Sequence, residues 1–581
     1  MTEPSPTSTL ARGSATVRLG DLDAGPVATG SRGGVVTVGR TRVTWWVGAE
    51  DRWHVPSDDA STRDQLDDAT PVVETRVRIP SGDAVGRVAV TRVEGVVGPS
   101  IVIEVENASP LPVAFAWIVE SSAPLHGLVG EGGHAEVDVV DVGRLVVTRP
   151  GLGWAHAAGS AQLRSMIEEG ETSTKPPASD APGALAVLVP LPHTARAVAT
   201  FTLADTIVDT ERRDGGFVEG DGSTIAGLLA DRERVPSPAR VVAGWRAHLN
   251  AIAKVDISDR RASQAFDAAV CDVLLGASPD TDAAVRGALI EGGAVLGRPD
   301  LDGLVALVGT RKLTGKIPGR DAVTATAQFL RAYGATWSAI GDDVDEVVVG
   351  MLGDVAASIR WLMGRSHRAA VNAAAPFVGG ALRSVVGVLG DLDQPDLARH
   401  VGSRADKLGD DTVDRATLAR RLLGSRADGL SWGGVDASAS YVLGAVQGMA
   451  VDCGDRLALG AGWVPDLAGS SIEAHRIPTR WGQLSFGLRW HGSRPALLWE
   501  VHGDGHTNAP LLLTAPVLDP SWSSSERSGE TLLSAPDLGE LGVVPEPVKR
   551  PVTRKSDSGE DAATSGSGSV DTPSGEGLSF S

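Results

Sequence analysis

The period of the hydrophobic pattern changes twice along this chain, and these two changes limit its fold most strongly. Before about residue 237, apolar side chains recur at every second position, as in "PVVETRVRIP", where Val73, Val77 and Ile79 share one side. From there to about residue 455 they recur at helical spacing, as in "SDRRASQAFDAAVCDVLLGA", and alternation then returns in "TRWGQLSFGLRWHG". A period of two predicts strands and a period near 3.6 predicts helices. We therefore expect three modules.

Turn residues between these segments indicate the fold class. Many short strands at regular intervals are typical of a β-sandwich, and roughly nine helices joined by short turns are expected to lie antiparallel to their neighbours. We predict a multidomain α+β protein with an N-terminal antiparallel β-sandwich, a helical middle, a small C-terminal β-domain and a disordered acidic tail. The predicted bounds are 1–30 for a loose lead-in, 31–236 for the sandwich, 237–455 for the helices, 470–543 for the small β-domain and 544–581 for the tail.

Charge and cysteine content disfavour two classes of function. The formal net charge is -20 and no dense Lys/Arg block is present, so a phosphate backbone would be repelled and nucleic acid is not an expected partner. The two cysteines, Cys271 and Cys453, lie far apart in apolar surroundings without metal-ligand spacing. We expect buried free thiols and no cofactor.

No segment has the composition of a membrane span or a signal peptide. The longest apolar stretch, residues 369–390, contains Asn372, Pro376 and Arg383 and is built of small side chains. A span would be richer in Leu, Ile and Phe and free of charge, so a buried helix is the prediction. The start "MTEPSPTSTLARG" lacks a basic region followed by an apolar run. We expect a cytoplasmic protein without a membrane partner.

The stretches "VVETRVRIPSGDAVGRVAV", "VIEVENASPLPVAFAW" and "GLRWHGSRPALLWEVHG", together with the β–α–β order, resemble the six-hairpin glycosidases. That superfamily includes glucoamylase-like and glycogen-debranching enzymes, and the resemblance implies a central (α/α) toroid and a carbohydrate ligand. The composition, rich in Ala, Val, Gly, Asp and Arg, is consistent with an actinobacterial relative. A complete ring needs twelve helices, so the roughly nine expected here imply a shortened, degenerate form.

Glycoside hydrolysis needs two carboxyl groups that flank the scissile bond, one of them protonated. The resemblance places such groups on loops at one rim of the toroid. The candidates are Asp342, Asp343, Asp428, Asp436 and Glu500, of which we select Asp428, Asp436 and Glu500 as the catalytic set. Helix capping is the alternative for the aspartates that begin predicted helices, and a buried structural carboxylate is the alternative for Glu500.

Indole and imidazole side chains give the candidate sugar contacts, since indole faces stack on sugar rings. The candidates are Trp432 in "DGLSWGGVDAS", Trp53 and His54 in "DRWH", and His491 in "LRWHG". Structural histidines are the alternative. Trp45 and Trp46 are adjacent in a strand and must face opposite ways, and we interpret this tryptophan cluster mainly as the joint between the N-terminal sheet and the helices.

The function predicted from these features is a degenerate carbohydrate-binding or scaffold protein. Two alternatives remain open: an active inverting glycoside hydrolase on an α-glucan or related oligosaccharide, and a structural module for protein interaction. The dinucleotide, phosphate-loop and zinc-protease motifs are absent from the sequence. The sequence does not predict the oligomeric state.

Overall fold

A computed structural model describes residues 16–177, 181–204, 222–257, 260–340, 346–409, 411, 434–463 and 467–536. In order, these residues form two large β-sheets, a helical region and two smaller β-sheets. The predicted order of modules is therefore confirmed, whereas the bounds given to the modules stay predictions and the predicted tail lies outside the described residues.

Among the described residues, one pair of helices bent by 107°, Arg365–Ala373 with Ala375–Asp391, has the length and composition of a broken membrane span, and no single helix does.

The N-terminal module is a sandwich of two antiparallel eight-stranded sheets. One sheet has the order β1-β2-β3-β4-β10-β15-β14 with β5 beside β4, and the other has the order β11-β12-β13-β16-β9-β8-β7-β6. The strands are β1 Thr16–Asp21, β2 Gly25–Ser31, β3 Val35–Val38, β4 Thr41–Gly48, β5 Trp53–His54, β6 Arg63–Leu66, β7 Val73–Ile79, β8 Gly82–Arg92, β9 Pro99–Asn107, β10 Val113–Ser121, β11 Leu125–Val129, β12 Ala135–Val139, β13 Gly143–Val147, β14 Gly153–Ala157, β15 Gly183–Leu191 and β16 Arg196–Leu203.

Strands begin at Thr16, inside the segment for which we expected a loose lead-in. Val17 and Leu19 are buried in the sandwich core, and β1 pairs with β2 along its whole length. The strand is short and has only these two buried apolar side chains. The Gly- and Asp-rich turn that follows it interrupts the alternating pattern, so the sequence did not indicate a strand here. Of that segment, only residues 1–15 lie outside the described part of the chain.

Trp45 and Trp46 face opposite ways, as predicted, but they do not join the sandwich to the helical region. Trp45 is fully buried between the two sheets. Trp46 packs on the outer face of its sheet against Leu163 and Ile167 of α1, the helix Ser160–Glu168. The interpretation as an inter-module joint is wrong, because α1 belongs to the sandwich itself and its short amphipathic pattern was missed between two strands.

The helical region surrounds a small cavity. Its helices are α2 Gly222–Ala230, α3 Pro238–Ala251, α4 Arg260–Leu274, α5 Ala283–Val295, α6 Leu301–Gly309, α7 Ala322–Ala339, α8 Glu346–Gly350, α9 Leu352–Leu362, α10 Arg368–Ala373, α11 Ala375–Ser384, α12 Val386–Asp391, α13 Pro395–Leu408 and α14 Val435–Met449. Helix α5 packs on α7, α7 on α11, and α14 on both α4 and α5. The side chain of Ser237 caps α3 and Pro238 opens it, as the sequence indicated.

The C-terminal module contains two sheets, and one of them includes β17, a strand that lies within the helical region of the sequence. The strands are β17 Lys254–Ile257, β18 Ala450–Asp452, β19 Leu457–Leu459, β20 Ile472–Thr479, β21 Gly482–His491, β22 Arg494–His502, β23 Leu513–Ala515, β24 Asp519–Ser524 and β25 Ser528–Leu532. The five-stranded sheet has the order β17-β20-β21-β22-β25 and the other the order β18-β19-β23-β24. On the inner face of the five-stranded sheet, Leu484, Phe486 and Leu488 share one core with α4 and α14.

Both cysteines are free thiols, as expected. Cys271 on α4 is buried, and burial raises the pKa of its thiol well above the ordinary value. Cys453, which follows β18, is half-buried, so the expectation of two buried thiols holds fully for one of them.

Candidate functional site

Four helices and two strand ends enclose the candidate site, which we call the central cavity. It has a volume of about 110 Å³ and is lined from α5, α7, α11 and α14, from β18, and from the end of β20. Small residues on α7 and α11, among them Gly334, Ala335 and Gly380, let the helices approach. A side chain at Gly334 would meet the backbone of Ser384 at 2.4 Å, so this approach requires glycine.

A buried carboxylate on α5 ties three of these helices together. Glu291 is 1% exposed and accepts hydrogen bonds from the side-chain amides of Gln328 on α7 and Gln447 on α14, the latter at 2.6 Å. Burying a charge is costly unless it is hydrogen-bonded. The two amides satisfy this requirement for Glu291.

A second carboxylate lies against the guanidinium of Arg331 on α7. Arg331 forms an ion pair with Asp411, donates to the carbonyl of Phe377 at 3.0 Å, and stacks 4.6 Å from the centre of the Phe377 ring. A side chain at Gly380 would lie 2.4 Å from the guanidinium of Arg331 and 2.6 Å from the carboxylate of Asp411. Glycine at position 380 therefore makes room for this ion pair.

An ion-pair cluster closes the cavity towards the C-terminal module. Asp452, which lines the cavity, accepts from Nε of Arg480 at 2.6 Å, and Asp391 accepts from Nη1 of the same side chain at 2.9 Å. Burial alone lowers the pKa of Arg480, and the carboxylates of Asp452 and Asp391 raise it above its ordinary value. The guanidinium is thus a fixed positive charge at this end.

The cavity therefore offers carboxylates, amides and a guanidinium in a sheltered space. These groups donate and accept hydrogen bonds. Within the described ranges, no group of three or more His, Cys, Asp or Glu side chains could hold a metal ion.

Two of the selected site residues, Asp428 and Trp432, lie outside the described residues, as do Asp342 and Asp343. Asp436 is exposed in the first turn of α14 and does not line the central cavity. Its position favours the capping alternative.

Glu500 and His491 lie together at another place, the outer face of the five-stranded sheet. Both line a shallow hollow there, and Glu500 is exposed and 3.1 Å from Nε2 of His502. Glu500 is therefore neither a buried structural carboxylate nor part of the central cavity. Its catalytic role stays a prediction.

Trp53 and His54 are held within the sandwich. His54 is buried, with Nδ1 2.8 Å from Asp59 and Nε2 3.0 Å from Asp51, and Trp53 packs against Gly48. Burial raises the pKa of Asp59, but hydrogen bonds from His54 and Ser61 outweigh it and leave that pKa below the ordinary value. The geometry is that of a structural histidine.

The residues of the central cavity were not singled out from the sequence. Their signal is a polar side chain inside an otherwise apolar helical stretch: Glu291 in "GALIEGGAV", Gln328 and Arg331 in "TAQFLRAYG", and Gln447 in "GAVQGMA". Long polar side chains are rarely buried fully unless they are paired. Four such interruptions in facing helices could have predicted a shared polar site.

No family model and no curated protein matches the sequence. Among solved structures, the chain is similar to a bacterial glucoamylase complexed with acarbose (TM-score 0.39, 10% identity, 70% of each chain covered) and to a putative kojibiose phosphorylase from the human microbiome (TM-score 0.46, 7% identity, 84% of this chain and 88% of that chain). It is also similar to a glycosyl hydrolase of family 92 (TM-score 0.32, 11% identity, 68% and 57%). Similarities of this size carry no argument about a fold family, a site, a substrate or an activity.

Proposed function

We propose that this chain is a carbohydrate-binding protein with a glycosidase-like layout, and that its central cavity holds one sugar ring without cleaving it. The observation that carries the proposal is the pair of buried carboxylates, Glu291 and Asp411, each held by donors from neighbouring helices. The resemblance of the sequence to six-hairpin glycosidases supports the choice of carbohydrate as the ligand class.

The polar groups of the cavity suit a neutral ligand rich in hydroxyl groups. A carboxylate accepts hydrogen bonds and a guanidinium donates them, so Glu291 and Arg331 give the cavity both kinds of group that sugar hydroxyls bind. A volume of about 110 Å³ has room for roughly eight water-sized groups. That is below the ~300 Å³ of ordinary ligand pockets, so the proposed ligand is at most one sugar ring.

The same contacts argue against cleavage of a glycosidic bond. The acid of a glycosidase must hold a proton near neutral pH, which requires a carboxyl group whose surroundings favour the neutral form. Glu291 receives two amide hydrogen bonds and Asp411 an ion pair with Arg331. Both groups therefore act as hydrogen-bond acceptors for the protein in this arrangement, which is the opposite of the donor role that a catalytic acid needs.

Calorimetric titration of the full chain with mono- and disaccharides of both anomeric linkages tests the proposal. We expect at least one monosaccharide to bind, and Glu291→Gln to weaken it about 10- to 100-fold, because a hydrogen bond to a charged group contributes ~1.5–3 kcal/mol. Glu473→Gln changes a half-buried carboxylate outside the cavity and serves as the matched control.

Two results would contradict the proposal. The first is the absence of heat with every sugar, while thermal unfolding shows the chain to be folded. The second is an affinity that Glu473→Gln lowers and Glu291→Gln leaves unchanged, because the ligand would then bind at the outer face of the sheet.

A further inference from the structure

A loop between α6 and α7 holds a leucine in full contact with water. Leu313 is 99% exposed, far more than the other exposed large apolar side chains of the described residues. We call residues 311–320 the Leu313 loop. A leucine gains about 1.5–3 kcal/mol when it is removed from water, so a fixed, fully exposed leucine is a natural contact for a partner.

Hydrogen bonds and an ion pair hold the Leu313 loop in this conformation. The N–H of Gly315 donates to the carbonyl of Lys312 at 2.9 Å, and the N–H of Lys312 donates to Lys316 at 2.9 Å. Ser358 on α9 donates to the carbonyl of Gly315 at 2.9 Å, and Arg311 forms an ion pair with Asp354. These contacts fix a convex turn with Leu313 at its tip.

The surroundings of Leu313 are positive in an otherwise acidic chain. The segment "RKLTGKIPGRD", residues 311–321, holds four cations and one carboxylate, while the chain as a whole carries -20. Arg311 is neutralised by Asp354, and Lys312 and Arg320 are exposed. The partner should therefore present an apolar contact with carboxylates beside it.

The outer face of the five-stranded sheet has that chemistry. We call its hollow, of about 1180 Å³ and lined among others by Leu498, Glu500 and Glu530, the outer hollow. Leu498 is 58% exposed, and Leu532, on the same face, is 45% exposed. Glu473 is paired with Arg489, Glu500 is 55% exposed and lies 3.1 Å from Nε2 of His502, and Glu530 is exposed. The hollow is lined by three carboxylates and one arginine, Arg489, so the convex basic turn has a concave counterpart with an excess of negative charge.

The Leu313 loop precedes the longest described helix, α7, and strand β20 of the sheet packs near the end of that helix. The Leu313 loop leads into the start of α7 at Ala322, and β20 packs beside the last turns of α7, where Ser338 and Pro478 line the same cavity. Eighteen helical residues span ~27 Å. The inner face of the sheet is covered by helices, so the outer hollow faces away from them.

We propose that the Leu313 loop of one copy docks into the outer hollow of a second copy, head to tail. A contact between two different surfaces of identical chains forms a ring or an open chain when each copy docks on a new neighbour, and a closed pair when two copies dock reciprocally. The exposed charges make the association weaken with salt, and the single apolar anchor makes it a weak contact.

Sedimentation of the full chain from about 1 μM to about 1 mM tests this proposal. We expect the average mass to rise with concentration and to fall with added salt. Leu313→Ser and Leu498→Ser should each weaken association at least about tenfold. Leu152→Ser, at a leucine that is 63% exposed on the sandwich, is the matched control and should leave it unchanged.

A charge-swap mixture tests the register of the contact. Lys312→Glu and Glu530→Lys should each reduce self-association, because like charges then face each other, and mixing the two folded variants should restore it. A chain that stays monomeric up to 1 mM, or a mixture that fails to associate while the unmodified chain does, overturns the proposal. Monomers that instead bind anionic vesicles through Leu313 overturn it in favour of a membrane contact.

Discussion

Arg480 and Asp391 join the C-terminal β-module to the helical region through a buried ion pair, with Nη1 of Arg480 2.9 Å from Oδ2 and 3.0 Å from Oδ1 of Asp391. Asp391 ends α12, and Arg480 lies in the turn between β20 and β21. Asp391 also accepts from Thr507 at 2.5 Å and from the indole of Trp337 at 3.1 Å. One guanidinium thus pairs with two carboxylates, those of Asp391 and Asp452, and we expect the two regions to unfold together.

Replacing Arg480 by Met should lower the free energy of unfolding by about 3–5 kcal/mol, because it leaves the carboxylates of Asp391 and Asp452 without their cation. Urea unfolding measures the change. Arg489→Met removes an ion pair whose Arg489 side chain is 73% exposed, and it should cost under ~1 kcal/mol. Equal effects of the two substitutions would show that the buried cluster does not join the modules.

Gly86→Ala should destabilise the sandwich by about 1–3 kcal/mol, as overpacking of a filled core does. The added methyl would lie 2.4 Å from the indole of Trp45, which is fully buried between the sheets. Gly244→Ala is the control, and its effect on stability should have the opposite sign. Gly244 lies inside α3 with open space beside it, so this change should stabilise by about 0.5–1 kcal/mol. Thermal unfolding of both variants measures the change in stability. A Gly86→Ala variant as stable as the unmodified chain would contradict the packing described.

His54→Ala should lower the free energy of unfolding by about 1–3 kcal/mol and leave sugar binding unchanged. The reason is that Asp59, with a side chain only 6% exposed, loses the imidazole that donates to it. His491→Ala removes an exposed imidazole and should change stability by less than ~0.5 kcal/mol. Loss of sugar binding in His54→Ala at unchanged stability would return His54 to the candidate ligand contacts.

The carboxyl of Asp519 should titrate at unusually low pH. Hydrogen bonds from the hydroxyl of Ser521 and the N–H of Ser534 lower its pKa from 3.8 to about 2. A lowered pKa contributes stability above the ordinary value, and this contribution is lost as the pH falls from about 4 to about 2. The carbon chemical shift of the carboxyl reports the midpoint directly.

Ser521→Ala should raise that pKa towards its ordinary value, because the largest single cause of the shift is removed. Ser523→Ala, an exposed position on the same strand, should leave the midpoint unchanged. A midpoint near 4 in the unmodified chain would show that these hydrogen bonds do not form in solution.

The sandwich could be predicted from the sequence because its strands carry their own pattern. Val73, Thr75, Val77 and Ile79 are all buried, as the alternation in β7 indicates. Burial of Glu74 on the opposite side breaks that rule, because Arg76 and Arg87 pair with it. Side-chain pairing across strands depends on register, which the sequence pattern of one strand does not contain.

The central cavity could not be predicted from the loops where catalytic carboxylates were sought. Its polar residues come from helices separated by up to about 150 positions in sequence, as Gln447 is from Glu291. Only the packing of α5, α7 and α14 brings them together. A helical pattern shows which face of a helix points inward, but it does not show which other helix that face contacts.

Proton NMR of the full chain with the best-binding disaccharide tests the central claim most directly, since one sample reports both binding and cleavage. We predict saturation transfer from the protein to one sugar ring, lost in Glu291→Gln, with no growth of new reducing-end signals. New reducing-end signals that depend on Glu291 would contradict the claim, because the central cavity would then cleave the sugar that it holds.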